Sequence, residues 1–258
     1  MEKLNIIKIG GNIIENESSL KEFLRLFSNL EGKKILIHGG GKLASSIASK
    51  LGIPSKMVNG RRITDAATLE VITMVYGGLI NRNIVAKLQA MHINAIGLTG
   101  ADANSITSDK RPVKEIDFGF VGDVKKVAKT SINKLIEANF IPVFCAITHD
   151  GNGQLLNTNA DTIASQIAIG MSTLYETTLY YCFDLKGVLK DVNDRNSVIE
   201  HINFKTYTQL LDDKIIVNGM LPKLENCFHA LQNGVHTVNM GNTSMLTKEN
   251  KMYTTITL

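Results

Sequence analysis

Short, nearly continuous apolar runs alternate along this chain with stretches whose apolar residues recur every third or fourth position. The first pattern marks strands buried on both faces, and the second marks amphipathic helices. Leu4 to Ile9, Lys34 to His38, Asn94 to Leu98, Ile141 to Ile147, Thr177 to Phe183, Val235 to Met240 and Tyr253 to Leu258 read as strands. Helices are predicted over Ser19 to Leu30, Leu43 to Leu51, Asp65 to His92, Ile132 to Ala138, from Ala160 onward, near Phe204 to Leu211 and over Lys223 to Gln232. Gly77-Gly78 marks a kink or close-packing point inside the longest of these. Residues 105 to 128 break the alternation around Pro112 and Gly119, as a β-hairpin excursion does.

Strands alternating with helices predict a three-layer α/β/α sandwich on a mostly parallel open sheet. A lobe boundary is expected near Gly170, dividing the chain into residues 1–172 and 173–258, although no linker marks it. In such sheets ligands bind beyond the carboxyl ends of the strands. Two glycine-rich elbows fall there: Lys8-Ile9-Gly10-Gly11-Asn12 and His38-Gly39-Gly40-Gly41-Lys42. Glycine lets backbone approach a phosphate, and a helix start supplies N–H donors. Neither elbow has the GxxxxGK[ST] or G-x-G-x-x-G spacing, and a plain βα turn also fits the second.

Composition narrows the classes little but usefully. Twenty-eight basic against 24 acidic residues give a net charge of +4, too mild and too scattered for a nucleic-acid binder. Lys33-Lys34 and Lys125-Lys126 read as solvated surface pairs. Three separated cysteines, Cys145, Cys182 and Cys227, make neither a disulfide framework nor a zinc site. The first two read as core fillers. No stretch is long enough to span a bilayer, and a strand begins within a few residues of Met1, so a cytosolic protein is expected.

Lys8 interrupts an apolar strand, where an ammonium is costly without an anionic partner; a strand-end lysine reaching solvent is the plainer alternative. Asn159 is a plausible N-cap that puts Asp161 in a first helical turn, where a carboxylate is favoured. Pro222 pre-sets another helix start and leaves Lys223 at its N-terminus, against the macrodipole, which points to function over stability. His38 beside the second elbow reads as packing or loop-fixing. Carboxylates between Asp109 and Asp123 are irregular and suit a solvated hairpin better than a metal site.

In this order, the pieces resemble the acetylglutamate kinases of the amino acid kinase family. The resemblance spans the whole chain. Besides both elbows, it rests on Asn59-Gly60-Arg61-Arg62-Ile63-Thr64, Gly119-Phe120-Val121-Gly122, Asn157-Thr158-Asn159-Ala160-Asp161, Asp184-Leu185-Lys186-Gly187-Val188-Leu189 and Gly219-Met220-Leu221-Pro222-Lys223. It implies ATP-dependent phosphorylation of the γ-carboxylate of N-acetyl-L-glutamate in arginine synthesis, with Mg²⁺ arriving on ATP and no metal held by the protein itself. Lys8 and Lys223 would stabilise the transferring phosphoryl, with Asp161 holding both ammoniums. Gly40, Gly41, Arg62 and Asn157 would bind the acylated glutamate. Gly10, Gly11, Asp184, Lys186, Gly187, Leu189 and Val217 would bind nucleotide, largely in the second lobe.

An ionised carboxylate nucleophile needs no general base, which agrees with the lack of a base–nucleophile pair. The chain departs from the family's usual nucleotide lobe at Phe183-Asp184-Leu185-Lys186-Gly187-Val188, Met240-Gly241-Asn242 and Thr254-Thr255. An N-succinyl substrate is the nearest alternative, with Arg61 or Lys56 to meet its extra charge. A free-amino-acid kinase, a nucleotide-dependent oxidoreductase and a non-catalytic sensor are further ones. Beginning directly with its first strand, the chain is expected to be a homodimer with weak or absent arginine feedback.

Overall fold

The computed structural model describes residues 1–58, 60–213, 215, 220–247, 249 and 252–258, with Pro222 described by its backbone alone. In chain order the first half runs β1 (Lys3–Ile9), α1 (Gly11–Glu15), α2 (Glu17–Asn29), β2 (Lys33–His38) and α3 (Gly41–Lys50). A small hairpin, β3 (Lys56–Val58) and β4 (Arg61–Ile63), precedes α4 (Ala66–Ile72), a π-helical segment (Thr73–Ile80), α5 (Asn81–Gln89) and β5 (Ala95–Leu98). Then come β6 (Ile106–Lys110), β7 (Gly122–Val127), α6 (Lys129–Glu137), β8 (Ile141–Cys145), β9 (Ile147–His149), β10 (Leu155–Asn157) and α7 (Ala160–Met171). The chain closes with β11 (Glu176–Cys182), β12 (His201–Ile202), α8 (Phe204–Asp212), α9 (Leu221–Gln232), β13 (Thr237–Gly241) and β14 (Thr254–Ile256).

Among the described residues, eight strands form one sheet in the order β12-β14-β13-β11-β1-β2-β8-β5. The pairs from β13 to β5 are parallel, and β14 turns antiparallel against β13. Leu4, Ile6, Ile7 and Ile9 of β1 and Ile35, Leu36 and Ile37 of β2 have no exposed surface, as a sheet covered on both faces requires. One helical group packs α7 against α6 and α9; another packs α2 against α1 and α5. The predicted α/β architecture is therefore present. No helix among the described residues is long and apolar enough to cross a membrane.

Several details differ from the sequence pattern, which does not mark the short strands β3, β4 and β12. The apolar run from Ile141 divides at Ala146: β8 joins the main sheet, whereas β9 pairs antiparallel with β10 in a second sheet ordered β10-β9-β6-β7. Both sheets bury their share of the run, so hydrophobicity alone does not reveal the break. The long helix is continuous from Ala66 to Gln89 but passes through the π-helical segment, which contains Gly77-Gly78. Lys34 is no surface residue: it is 5% exposed, and its ammonium donates to the carbonyls of Phe27, Ser28 and Leu30, closing the C-terminus of α2. Residues 106–127 form the expected antiparallel hairpin, with Asp109 paired to Lys125 and Asp123 to Arg111.

Candidate active site

Parallel strands end together, and the elbows that follow β1 and β2 bring the chemistry to one edge of the sheet. Lys8 stands opposite Tyr181 of β11 and Ile37 of β2, one residue before β1 ends. Its ammonium lies 2.7 Å from the Asp161 carboxylate, with the two side chains 17% and 22% exposed. Asp161 is held there by its helix: Asn159 caps α7 by accepting from the N–H groups of Asp161 and Thr162 at 2.8 and 3.1 Å. The Tyr181 hydroxyl donates to the Asp161 carbonyl at 3.2 Å. Burial pushes the Tyr181 hydroxyl well above its ordinary value and the Cys182 thiol up to about 12, so both stay protonated.

Lys223 reaches the same small cavity, which Lys8, Asp161, Tyr181, Phe183 and Asn226 also line. It follows the proline in the first turn of α9, and its ammonium lies 5.4 Å from the centroid of the Phe183 ring. Two lysines and one carboxylate thus face one space, leaving an excess positive charge for an anion.

The elbows adjoin this cavity. Gly10 donates its N–H to the Cys182 carbonyl at 3.1 Å, fastening the first elbow to the end of β11; Gly11 opens α1. At Gly40, φ is +149°, and a β-carbon there would lie 2.2 Å from Ile80 Cδ1, so only glycine fits. Gly39 packs beside Ala160, which joins the second elbow to the helix start carrying Asp161. Arg62 is buried behind Gly41: its guanidinium donates to the Gly41 carbonyl and to Ser45 and Ser55 hydroxyls, each at 2.8 Å. Asn157 Nδ2 donates to Thr64 Oγ1 at 3.0 Å, close to the hairpin bearing Arg62.

His38 has no exposed surface. Burial holds its imidazole down at about 4, so it is neutral and packs as a fixed loop residue. Cys145, Cys182 and Cys227 are all free and buried.

The residues expected to touch nucleotide are more dispersed. Asp184 accepts from the Asn12 amide, and Asn12 in turn accepts from Lys42, linking both elbows to the segment after β11. Lys186 donates to Asn196 at 2.7 Å. Gly187 packs against Thr254, and Leu189 is buried and bridges to Val198. The departure at Thr254 is structural: its hydroxyl accepts from the Val188 N–H at 2.8 Å and donates to the Ile199 carbonyl at 2.7 Å. Val217, and Asn59 and Gly219 of the quoted motifs, lie outside the described residues. Sequence reasoning assigned no role to Asn12 or Lys42, because nothing in the local pattern shows that Asn12 meets a residue 172 positions away.

The class is that of an open parallel α/β protein with its site at the carboxyl edge of the sheet. The amino acid kinase family model matches residues 3–242. The acetylglutamate kinase of Bacteroides fragilis is 56% identical over 237 residues, covering 92% of this chain and 91% of the relative. That of Cytophaga hutchinsonii is 56% identical over 239 residues, covering 92% and 90%. Among solved structures, smu.665 from Streptococcus mutans superposes with a TM-score of 0.79 at 24% identity, covering 98% of each chain. The chain belongs to the amino acid kinase family.

Proposed function

We propose that this chain transfers the γ-phosphoryl group of ATP to the γ-carboxylate of N-acetyl-L-glutamate. The observation that carries the reading is the cavity in which Lys8, Asp161 and Lys223 meet, next to the two glycine elbows. The names of the relatives, acetylglutamate kinases at 56% identity, support the substrate. One carboxylate oxygen attacks the γ-phosphorus, the bond to the β–γ bridging oxygen breaks, and ADP leaves with the electron pair. No proton moves, so the work is alignment and charge neutralisation.

In this reading Lys8 and Lys223 meet the charge on the transferring group, and Asp161 keeps both ammoniums in place. N–H groups of Gly11, Gly40 and Gly41 donate to phosphoryl and substrate oxygens, and Arg62 and Asn157 orient the acylated glutamate. Gly10, Asp184, Lys186, Gly187, Leu189 and Val217 serve the nucleotide, with residues 1–172 as acceptor lobe and 173–258 as nucleotide lobe. The two acidic groups of the proposed site are already engaged, Asp161 by Lys8 and Asp184 by Asn12. That fits an Mg²⁺ ion carried by phosphates and water. A cytosolic homodimer completes the proposal.

The test is ADP release from MgATP with N-acetyl-L-glutamate, N-succinyl-L-glutamate, L-glutamate and L-aspartate in parallel. Turnover with the N-acetyl compound alone is expected. Turnover confined to the N-succinyl compound would reassign the acyl group. Turnover only with a free amino acid, or none with a folded protein, would overturn the reading.

A further inference from the structure

We infer that Asn81 is a positioning residue for phosphoryl transfer, acting through His38 on the second glycine elbow, and that the π-helical segment exists to bring it there. The inference rests on the proposed kinase reaction and names a device that none of the site residues above includes.

The elbow is held from behind by its carbonyls. Gly39's carbonyl lies 2.8 Å from His38 Nδ1, Gly40's accepts from the Ala44 N–H at 2.9 Å, and Gly41's accepts from Arg62 at 2.8 Å. With all three carbonyls turned inward, the N–H groups of Gly40 and Gly41 have no backbone partner among the described residues. They are the donors a phosphoryl oxygen would meet.

Proton bookkeeping fixes the imidazole. A carbonyl only accepts, so Nδ1 carries the proton and Nε2 must accept. The donor to Nε2 is Asn81 Nδ2 at 3.0 Å, and the same amide donates to the Val143 carbonyl at 2.9 Å. Two acceptors on the nitrogen side set which way the amide points. Asn81 is 1% exposed, and its Oδ1 is buried without a hydrogen-bond partner among the described residues. An amide kept in the core at that cost is holding something.

The π-helical segment explains how one helix face reaches the elbow three times. Tyr76 and Ile80 crowd Gly40, and Asn81 meets His38. In an α-helix at 3.6 residues per turn, positions five apart stand about 140° away from each other around the axis. Bonding from i to i+5 widens the turn and brings such positions to within about 50° of each other, on one face. The backbone N–H of Asn81 is shared between the Gly78 and Tyr76 carbonyls, and the second is a bond of this i to i+5 register. Such segments are rare and frequently lie at functional sites.

The experiment uses Asn81→Ala, His38→Ala and the double variant, with MgATP and N-acetyl-L-glutamate. Both single variants are expected to lose at least tenfold in kcat, with KM for each substrate within twofold. The donors act on charge developed in the transition state, so binding is spared. Because the two residues form one relay, the double variant is expected to lose no more than the worse single variant. In ¹⁵N-labelled protein, the Gly40 and Gly41 amide signals and the His38 Nε2 signal should shift in Asn81→Ala, while Nδ1 keeps the proton it donates to the Gly39 carbonyl. A folded Asn81→Ala variant with kcat within twofold, or with losses that multiply in the double variant, would overturn the inference. If Asn81→Ala does not fold, Asn81→Ser is judged by the same limits. If the wild-type protein turns over no N-acetyl-L-glutamate, the kinase reading fails, while unchanged Gly40 and His38 signals in Asn81→Ala would separately sink the relay.

Discussion

The two walls of the cleft are built differently. On the proposed acceptor side, His38, Gly40 and Arg62 are buried, the Lys8 and Asp161 side chains are 17% and 22% exposed, and the side chains of Arg62, His38 and the ion pair each have a partner within 3.0 Å. On the nucleotide side, Lys223, Asp184 and Lys186 lie nearer to solvent, and their contacts are with a ring face or with other exposed side chains. On the proposed reading, the first wall is an anion cradle set before any ligand arrives, and the second is organised by the charge of the nucleotide it admits and releases. The difference predicts where substitution alters chemistry and where it alters binding.

Lys8→Ala breaks the contrast most severely. It removes the inner cation and strands Asp161, so kcat is expected to fall a hundredfold or more with the fold intact by circular dichroism. A loss below about tenfold would remove Lys8 from the charge-neutralising role. Lys223→Ala should cost less in kcat, on the order of tens of fold, and raise KM for ATP as well, which steady-state kinetics at varied ATP resolves. If its KM for ATP were unchanged, the outer cation would belong to the pre-set wall.

Arg62→Lys sharpens the comparison. A point charge cannot reproduce three guanidinium bonds, so KM for the acylated glutamate should rise about tenfold, roughly 1.4 kcal/mol, with KM for ATP unchanged. An equal rise in both would mean that Arg62 acts on the whole cleft.

The buried wall also carries a pH signature. His38 has its ordinary value near 6.5 when unfolded and about 4 when folded, because burial disfavours the imidazolium. Below 6.5 the unfolded chain takes up a proton that the folded chain refuses, so unfolding is favoured increasingly as pH falls. The contribution is complete above pH 6.5 and is lost progressively down to about pH 4, by about 3 kcal/mol in all. Denaturant titrations across that window check it, and His38→Gln should flatten the dependence. Smallest of all, Lys34→Met should lower stability by about 1–2 kcal/mol through the open end of α2 and leave kcat unchanged.

Much of this was legible in the sequence. Alternating patterns located seven of the eight strands of the main sheet, missing the two-residue β12, and the two elbows located its working edge. Lys8 in an apolar strand and Lys223 against a helix dipole each pointed to an anion before any geometry was known. What stayed hidden depends on register and distance. Ala146 divides a run that two sheets bury equally, so hydrophobicity carries no mark of the break. The i to i+5 bonding that turns Asn81 toward His38 leaves no periodic signal over so short a segment. Lys34 looks like half of a surface pair until the carbonyls it closes are seen. The Asn12–Asp184 contact joins residues 172 positions apart, and no local pattern encodes it.

The central claim, transfer of a phosphoryl group to a carboxylate without a general base, is tested most directly by phosphorus NMR of MgATP mixed with N-acetyl-L-glutamate and the protein. The account predicts an acyl-phosphate signal growing in step with ADP and collapsing to inorganic phosphate when hydroxylamine traps the acyl group. ADP accompanied only by inorganic phosphate, with no hydroxamate formed, would contradict it.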